Sequence, residues 1–304
     1  MEKKILILAS TSFIGQNIKL YFEKKYENIF CLDKKDVNFK NKNLLTEKIK
    51  NIDPEIVINC CGIVGSSVKN KSLHDFDILN ENILLNYNIL DSCKNLNIKK
   101  IIMMSSYRLF GENVCENYDE NNIEESIIEY NIGYLTSKKV LDIQIKLFMN
   151  EYKIDVICLL MTNIYGPNDD FSINSRIVPS LITKIKNSQE EKKDIIINSN
   201  KNILVNLVLV DDISRIIEKC IYGNINLKGN IIIFNKNGII TLEKLVDIIS
   251  KIIKNTNNIT FEKNEDIKQS FIMKPNLNKF NTFFSDFEFS EIENSLEFIK
   301  NINW

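Results

Sequence analysis

Five short apolar runs, each too brief for a helix and set between segments of helical periodicity, constrain this chain most. They are K-I-L-I-L (4–8), I-F-C-L (29–32), E-I-V-I-N (55–59), K-I-I-M-M (100–104) and D-V-I-C-L-L (155–160). Helical patterns over 13–24, near 78–95 and from Tyr134 onward lie between them. A strand without a polar face must be covered on both sides. Such strands alternating with helices fold as a parallel, doubly wound α/β sheet. After Gly166-Pro167 the alternation loosens into a helix over 176–187, two short strands, and helices over 211–222 and 241–254. That change predicts a smaller C-terminal α/β lobe. The expected division is 1–166, with 204–228 returning to the larger domain, against 167–203 and 229–304 for the smaller one.

Composition narrows the partners. The 304 residues are 44% hydrophobic and 26% charged, an ordinary globular balance, and the net charge of −1 gives no footprint for nucleic acid or an anionic membrane. The seven cysteines are scattered without metal-ligand spacing, and His74 is the single histidine. No metal and reduced, buried thiols are expected. The first apolar run is far too short for a leader or a membrane span, which makes a cytoplasmic enzyme the expectation. Ala9 is the one alanine in the chain, so motif positions usually held by alanine or glycine are free to have drifted.

The first strand runs into A-S-T-S-F-I-G, Ala9 to Gly15. A helix starting here aims its amino end over the loop, which suits a pyrophosphate. Dinucleotide folds normally place three glycines in this loop. Only Gly15, the one needed for close helix–strand packing, is kept, with Ala9 and Ser12 at the other two positions. Asp33 ends the second strand, where a carboxylate can accept the ribose hydroxyls of NAD. Lys34 and Lys35 follow it and can instead neutralise the extra phosphate of NADP. The choice between NADH and NADPH stays open.

The fourth run ends in Ser105-Ser106, and Y-L-T-S-K (134–138) follows on a helical pattern. Residues four apart share a helix face, so Tyr134 and Lys138 can meet one substrate atom and one cofactor together. A free phenol titrates near ~10, and a neighbouring ammonium stabilises its phenolate. Ser106 can hold a substrate oxygen while Tyr134 protonates it. Tyr21 and Lys25 have the same spacing but no serine upstream.

With these residues the chain resembles the extended short-chain dehydrogenase/reductases, the NAD-dependent epimerase/dehydratase family, over nearly its whole length. S-S-Y-R-L-F-G (105–111) resembles the family's S-S-x-x-V-Y-G. M-T-N-I-Y-G-P-N-D-D-F with N-S-R-I-V-P-S-L (161–181) is most similar to the branch of GDP-L-fucose synthases and 4-keto-6-deoxyheptose C4 reductases. V-D-D at 210–212 and Lys274-Pro275 also match.

The resemblance implies a Rossmann-type sheet and a catalytic set of Ser106, Tyr134 and Lys138. It implies dinucleotide contacts from Ala9, Ser10, Thr11, Ser12, Phe13, Ile14 and Gly15. Further cofactor contacts are expected from Asp33, Lys34, Cys61, Gly62, Lys138, Met161, Asn163 and Ile164. Substrate contacts are expected from Ser106, Tyr107, Arg108, Asn163, Arg176, Lys184 and Lys274. By resemblance NADPH is favoured, and Asp33 argues for NADH. A homodimer through a four-helix bundle is implied as well.

The departures carry information. GDP-L-fucose synthases epimerise C3 and C5 with a cysteine and a histidine, and those positions hold Arg108 and Arg176 here. A guanidinium, with a pKa above ~12, is a poor proton shuttle. Reduction at C4 without epimerisation is therefore expected, in capsule or surface-glycan sugar biosynthesis. The family's sugar-nucleotide Arg and Trp fall on Val205 and Asn198. A 4-epimerase with tightly held NAD is the nearest alternative. A 4,6-dehydratase fits less well, since Tyr107-Arg108 stand where that group has Asp-Glu. A non-catalytic dinucleotide sensor is the alternative from another class. His74 and E-N-N-I-E-E (120–125) read as solvated loops.

Overall fold

The computed structural model describes residues 3–64, 74–111, 117–223, 225–262 and 274–302. Cys115 and the loop before His74 lie outside the described residues. Along the chain come β1 (Ile5–Leu8), α1 (Phe13–Glu23), β2 (Ile29–Leu32), α2 (Lys42–Ile52), β3 (Ile56–Asn59), α3 (Asp75–Cys93), β4 (Lys100–Ser106), α4 (Ile132–Tyr152) and β5 (Asp155–Met161). They are followed by β6 (Asn163–Tyr165), α5 (Ile177–Glu191), β7 (Ile195–Asn198), β8 (Leu204–Leu209), α6 (Val210–Tyr222), β9 (Gly229–Ile233), β10 (Ile239–Thr241), α7 (Leu242–Ile253), β11 (Ile259–Glu262), α8 (Asn278–Phe283) and α9 (Ile292–Ser295).

Two compact units emerge, residues 1–161 with 213–233 and 274–286, and residues 162–212 with 234–273 and 287–304. The first is built on a six-stranded sheet in the order β2-β1-β3-β4-β5-β9. Every pairing in it is parallel. Four of the five runs that lack a polar face are buried on both faces: all of β1 and β3, Ile101 to Met103 and Val156 to Leu160. In β2, at the sheet's edge, Ile29, Phe30 and Cys31 are half-buried. Strand order reverses between β1 and β3. In sheets of this kind a ligand crevice forms at the carboxyl ends beside such a switch point.

Local signals start and stop the helices. Ser12 caps α1 and Asn41 caps α2, each side chain accepting a backbone N–H, from Gly15 and Leu44. Asp53 closes α2 in the left-handed region. The acidic segment read as a solvated loop instead forms a 3₁₀ turn over Glu120–Ile123 with Ile123 buried. The Glu120 carboxylate accepts the Ile232 N–H at 2.8 Å. Lys279 donates to the Asn230 carbonyl at 2.5 Å, so side chains occupy backbone groups along β9, the last strand of the sheet.

The second unit has its own core, in which Tyr165, Ile182, Leu207, Leu245, Ile249 and Leu296 are buried together. Two small sheets frame it, β10-β8-β6 and β11-β7. Among the described residues no helix is long and apolar enough to cross a membrane.

Candidate active site

The loop from β1 to α1 takes a shape that glycine would adopt freely. Ala9 has φ +55°, in the left-handed region, at a cost of about 1–2 kcal/mol. Its N–H donates to the Leu32 carbonyl at 2.8 Å, and its carbonyl accepts from Ser12 N–H at 3.0 Å. A Cβ on Gly15 would lie 2.2 Å from the Ala9 carbonyl oxygen, so no side chain fits there. Ser12, at the second glycine position, folds its hydroxyl onto the Gly15 N–H at 3.1 Å. Phe13 and Ile14 are half-buried in the first turn of α1, while Lys34 is exposed.

Asp33 has turned its carboxylate onto this loop. It accepts from Ser10 Oγ at 2.7 Å, Thr11 N–H at 3.0 Å and Thr11 Oγ1 at 2.8 Å. Burial pushes its carboxyl up, but the donors from Thr11 and Ser10 outweigh that and hold it below the usual carboxylate range.

Beyond β3 the chain is held by two asparagines that sequence reasoning missed. Asn59 Oδ1 accepts the Cys61 N–H at 2.9 Å. Buried Asn82, on α3, accepts the Ile63 N–H and donates to the Ile63 carbonyl, both at 2.9 Å. The signal available was an asparagine ending an otherwise apolar strand. Burial raises the Cys61 thiol to about 12, with Asp33 adding and Lys138 opposing, so it is no nucleophile at neutral pH.

Ser106 ends β4 half-buried, and its hydroxyl accepts the Arg108 N–H at 3.3 Å in the 3₁₀ turn Tyr107–Phe110. Tyr134 lies in the first turn of α4. A Cβ on the preceding Gly133 would meet the Asp75 carbonyl at 2.0 Å, so α3 and α4 approach backbone to backbone just here. Lys138 is 4% exposed, and its ammonium donates to the Met104 carbonyl at 3.0 Å and lies 5.5 Å from the Tyr134 ring centroid. A Cβ on Gly62 would be 3.9 Å from that ammonium, which places the loop after β3 beside it. The Arg108 guanidinium interacts with the phenols of Tyr107, Tyr130 and Tyr134. Desolvation lowers its pKa, these phenols raise it, and the net shift is upward.

Ser106, Arg108, Tyr134, Lys138, Cys61 and Gly62 thus share one end of the first unit. Met161, buried, ends β5 opposite Ser106 in register. Lys274 is exposed, with its carbonyl accepting the Asn117 N–H at 3.0 Å. Asn163, Ile164, Arg176 and Lys184 belong to the second unit. There Asn163 donates to the Asn206 carbonyl at 3.0 Å, and buried Asn206 also accepts from Thr162 Oγ1 at 2.8 Å. Arg176 is ion-paired with Asp169, whose carboxyl burial pushes up against the opposing guanidinium. Lys184 is half-buried on α5, and His74 is exposed before α3 without a side-chain capping bond.

Residues 5–226 match the model of the NAD dependent epimerase/dehydratase family. A dTDP-D-glucose 4,6-dehydratase of Dictyostelium discoideum is 30% identical over 69% of this chain, and the chain spans 54% of that protein's length. Among solved structures, a GDP-L-fucose synthetase from Naegleria fowleri superposes with a TM-score of 0.88 at 18% identity, covering 99% of this chain and 92% of that one. A GDP-mannoheptose C4 reductase from Campylobacter jejuni with NADP bound gives 0.83 at 16% identity, covering 99% and 98%. At such identities the likeness is one of fold.

Proposed function

We propose that this chain, which belongs to the NAD dependent epimerase/dehydratase family, is an NAD(P)H-dependent C4 reductase of a nucleotide-linked 4-keto-6-deoxy sugar, with a GDP-linked hexose or heptose favoured. The observation that carries the reading is the buried Lys138 ammonium, fixed by the Met104 carbonyl and set 5.5 Å from the Tyr134 ring. A desolvated cation beside a phenol is an arrangement for moving that phenol's proton. The first unit fits a dinucleotide: α1 opens under a loop that Ala9 shapes as a glycine would, and nothing larger than glycine fits at position 15.

Bound there, reduced nicotinamide would supply hydride to the C4 carbonyl. Tyr134 gives its phenolic proton to the C4 oxygen, Lys138 stabilises the phenolate left behind, and the Ser106 hydroxyl holds the oxygen in line. Arg108 stays charged at working pH, so it can grip an anionic group but cannot remove protons at C3 and C5. Dehydration to a 4-keto sugar would call for a carboxyl pair after Ser106, and Tyr107-Arg108 stand there. The second unit, with Arg176 and Lys184, would bind the sugar nucleotide. The chain would pair through α3 and α4, on which Leu84, Tyr87, Ile143 and Leu147 are exposed apolar side chains. Sedimentation equilibrium reads that directly as the mass of two chains against one.

The test is oxidation of NADPH and NADH with GDP-, UDP- and dTDP-4-keto-6-deoxy sugars in heavy water. Stoichiometric oxidation with one of them, and product without deuterium at C3 or C5, is expected. Interconversion of the C4 epimers of a 4-hydroxy nucleotide sugar with no added reductant would assign a 4-epimerase instead, and binding without turnover would assign a sensor.

A further inference from the structure

The carboxylate at the end of β2 sits where a ribose reader would stand, yet its acceptor positions are already in use. A carboxylate has about four lone-pair sites. On Asp33 three are met by the β1–α1 loop: Ser10 Oγ at 2.7 Å on Oδ2, with Thr11 N–H at 3.0 Å and Thr11 Oγ1 at 2.8 Å on Oδ1. Ser10 is 2% exposed, which anchors one end of this set away from water. The Asp33 N–H is occupied too, by Asp36 Oδ2 at 2.7 Å. One free site cannot take both hydroxyls of a ribose.

The same loop has lost two of its glycines. Ala9 is held in the left-handed region, and the Ser12 hydroxyl is spent on the Gly15 N–H. A loop whose backbone resists its own shape needs fixing from outside, and Ser10, Thr11 and Asp33 supply that fixing between β1 and β2.

We propose that Asp33 is the latch of the dinucleotide loop, a positioning residue that stands in for the lost glycines and does not discriminate NADH from NADPH. The proposal rests on the dinucleotide reading above and deepens it. The donors that hold the carboxylate ionised, described above, act in the same sense, because a charged acceptor bonds these groups more strongly than a neutral one.

Two variants separate latch from reader. Asp33→Asn leaves the position polar, and Ser10→Ala with Thr11→Val leaves Asp33 itself untouched. Binding of NADH and NADPH is measured by calorimetry, and exchange of the residue 11 backbone N–H, relative to its intrinsic rate, by NMR in the ligand-free protein. A latch predicts that both variants weaken the two dinucleotides by the same factor, about tenfold, and speed exchange of the residue 11 N–H about tenfold or more. Loss of NADH affinity alone in Asp33→Asn, with NADPH bound more tightly and the double variant at wild-type affinity, would overturn it. If neither dinucleotide binds the wild type, the function proposed above fails. The exchange result then decides the latch by itself: an unchanged rate at residue 11 in both variants sinks it.

Discussion

The two ends of the first unit, proposed above as its nucleotide and chemical ends, depart from the resembled family pattern to different degrees. At the nucleotide end two of three loop glycines are gone, and side chains hold the loop: Ser12 on Gly15, and Asp33 on Ser10 and Thr11. At the chemical end Ser106, Tyr134 and Lys138 keep the order and spacing of the resemblance. The difference follows from what each end must present. A phosphate cradle needs backbone N–H groups in a given shape, and several side-chain arrangements can impose one shape. A proton donor beside a desolvated cation has no such substitute.

If that contrast is right, the largest effect belongs to the chemical end. Tyr134→Phe should leave dinucleotide affinity intact and lower turnover by about two to four orders of magnitude, read as kcat beside a binding isotherm. Turnover near wild type would remove Tyr134 from the chemistry. Next comes the one loop position where no side chain can help. Gly15→Ala places a Cβ 2.2 Å from a backbone oxygen and should cost about 1–3 kcal/mol in denaturant unfolding, with a parallel fall in dinucleotide affinity. A neutral Gly15→Ala would mean the loop can deform after all. The smallest effect sharpens the comparison from the other side. Ala9→Gly relieves the left-handed strain and loses part of the gain to chain entropy, for a net stabilisation of about 0.5 kcal/mol. A destabilised variant would show that Ala9 is not strained.

The sheet is legible in the sequence because its signal is local. Of the first five strands, β1, β3, β4 and β5 are buried on both sides, which leaves a run without a polar face in the residues themselves. Strand β2 carries such a run although it is half-buried at the edge. Helix α2 is not legible in the same way, because its start carries no distinctive signal. Asn41 is in fact the helix cap, a residue type that loops and helix starts share. The place of β9 in the main sheet is not legible, because the partner, β5, lies some seventy residues earlier and nothing in I-I-I-F names it. In the candidate site, the spacing of Tyr134 and Lys138 was legible because one helical turn is a sequence distance. The Met104 carbonyl that orients Lys138, the Asn82 amide that holds Ile63 and the hydroxyls that occupy Asp33 were not. Each is a contact between elements far apart in the chain.

Late recruitment of β9 has a consequence for how the molecule comes into being. A ribosome that has released β5 must still add the residues up to Ile233 before the sheet has its last strand, several seconds at ordinary elongation rates. Throughout that interval the open side of β5 offers unpaired backbone groups to any passing extended chain. The nascent protein is therefore most prone to mispairing while residues 162–233 are being added. Glu120 is by then already waiting where β9 will dock, to receive the Ile232 N–H and finish the edge.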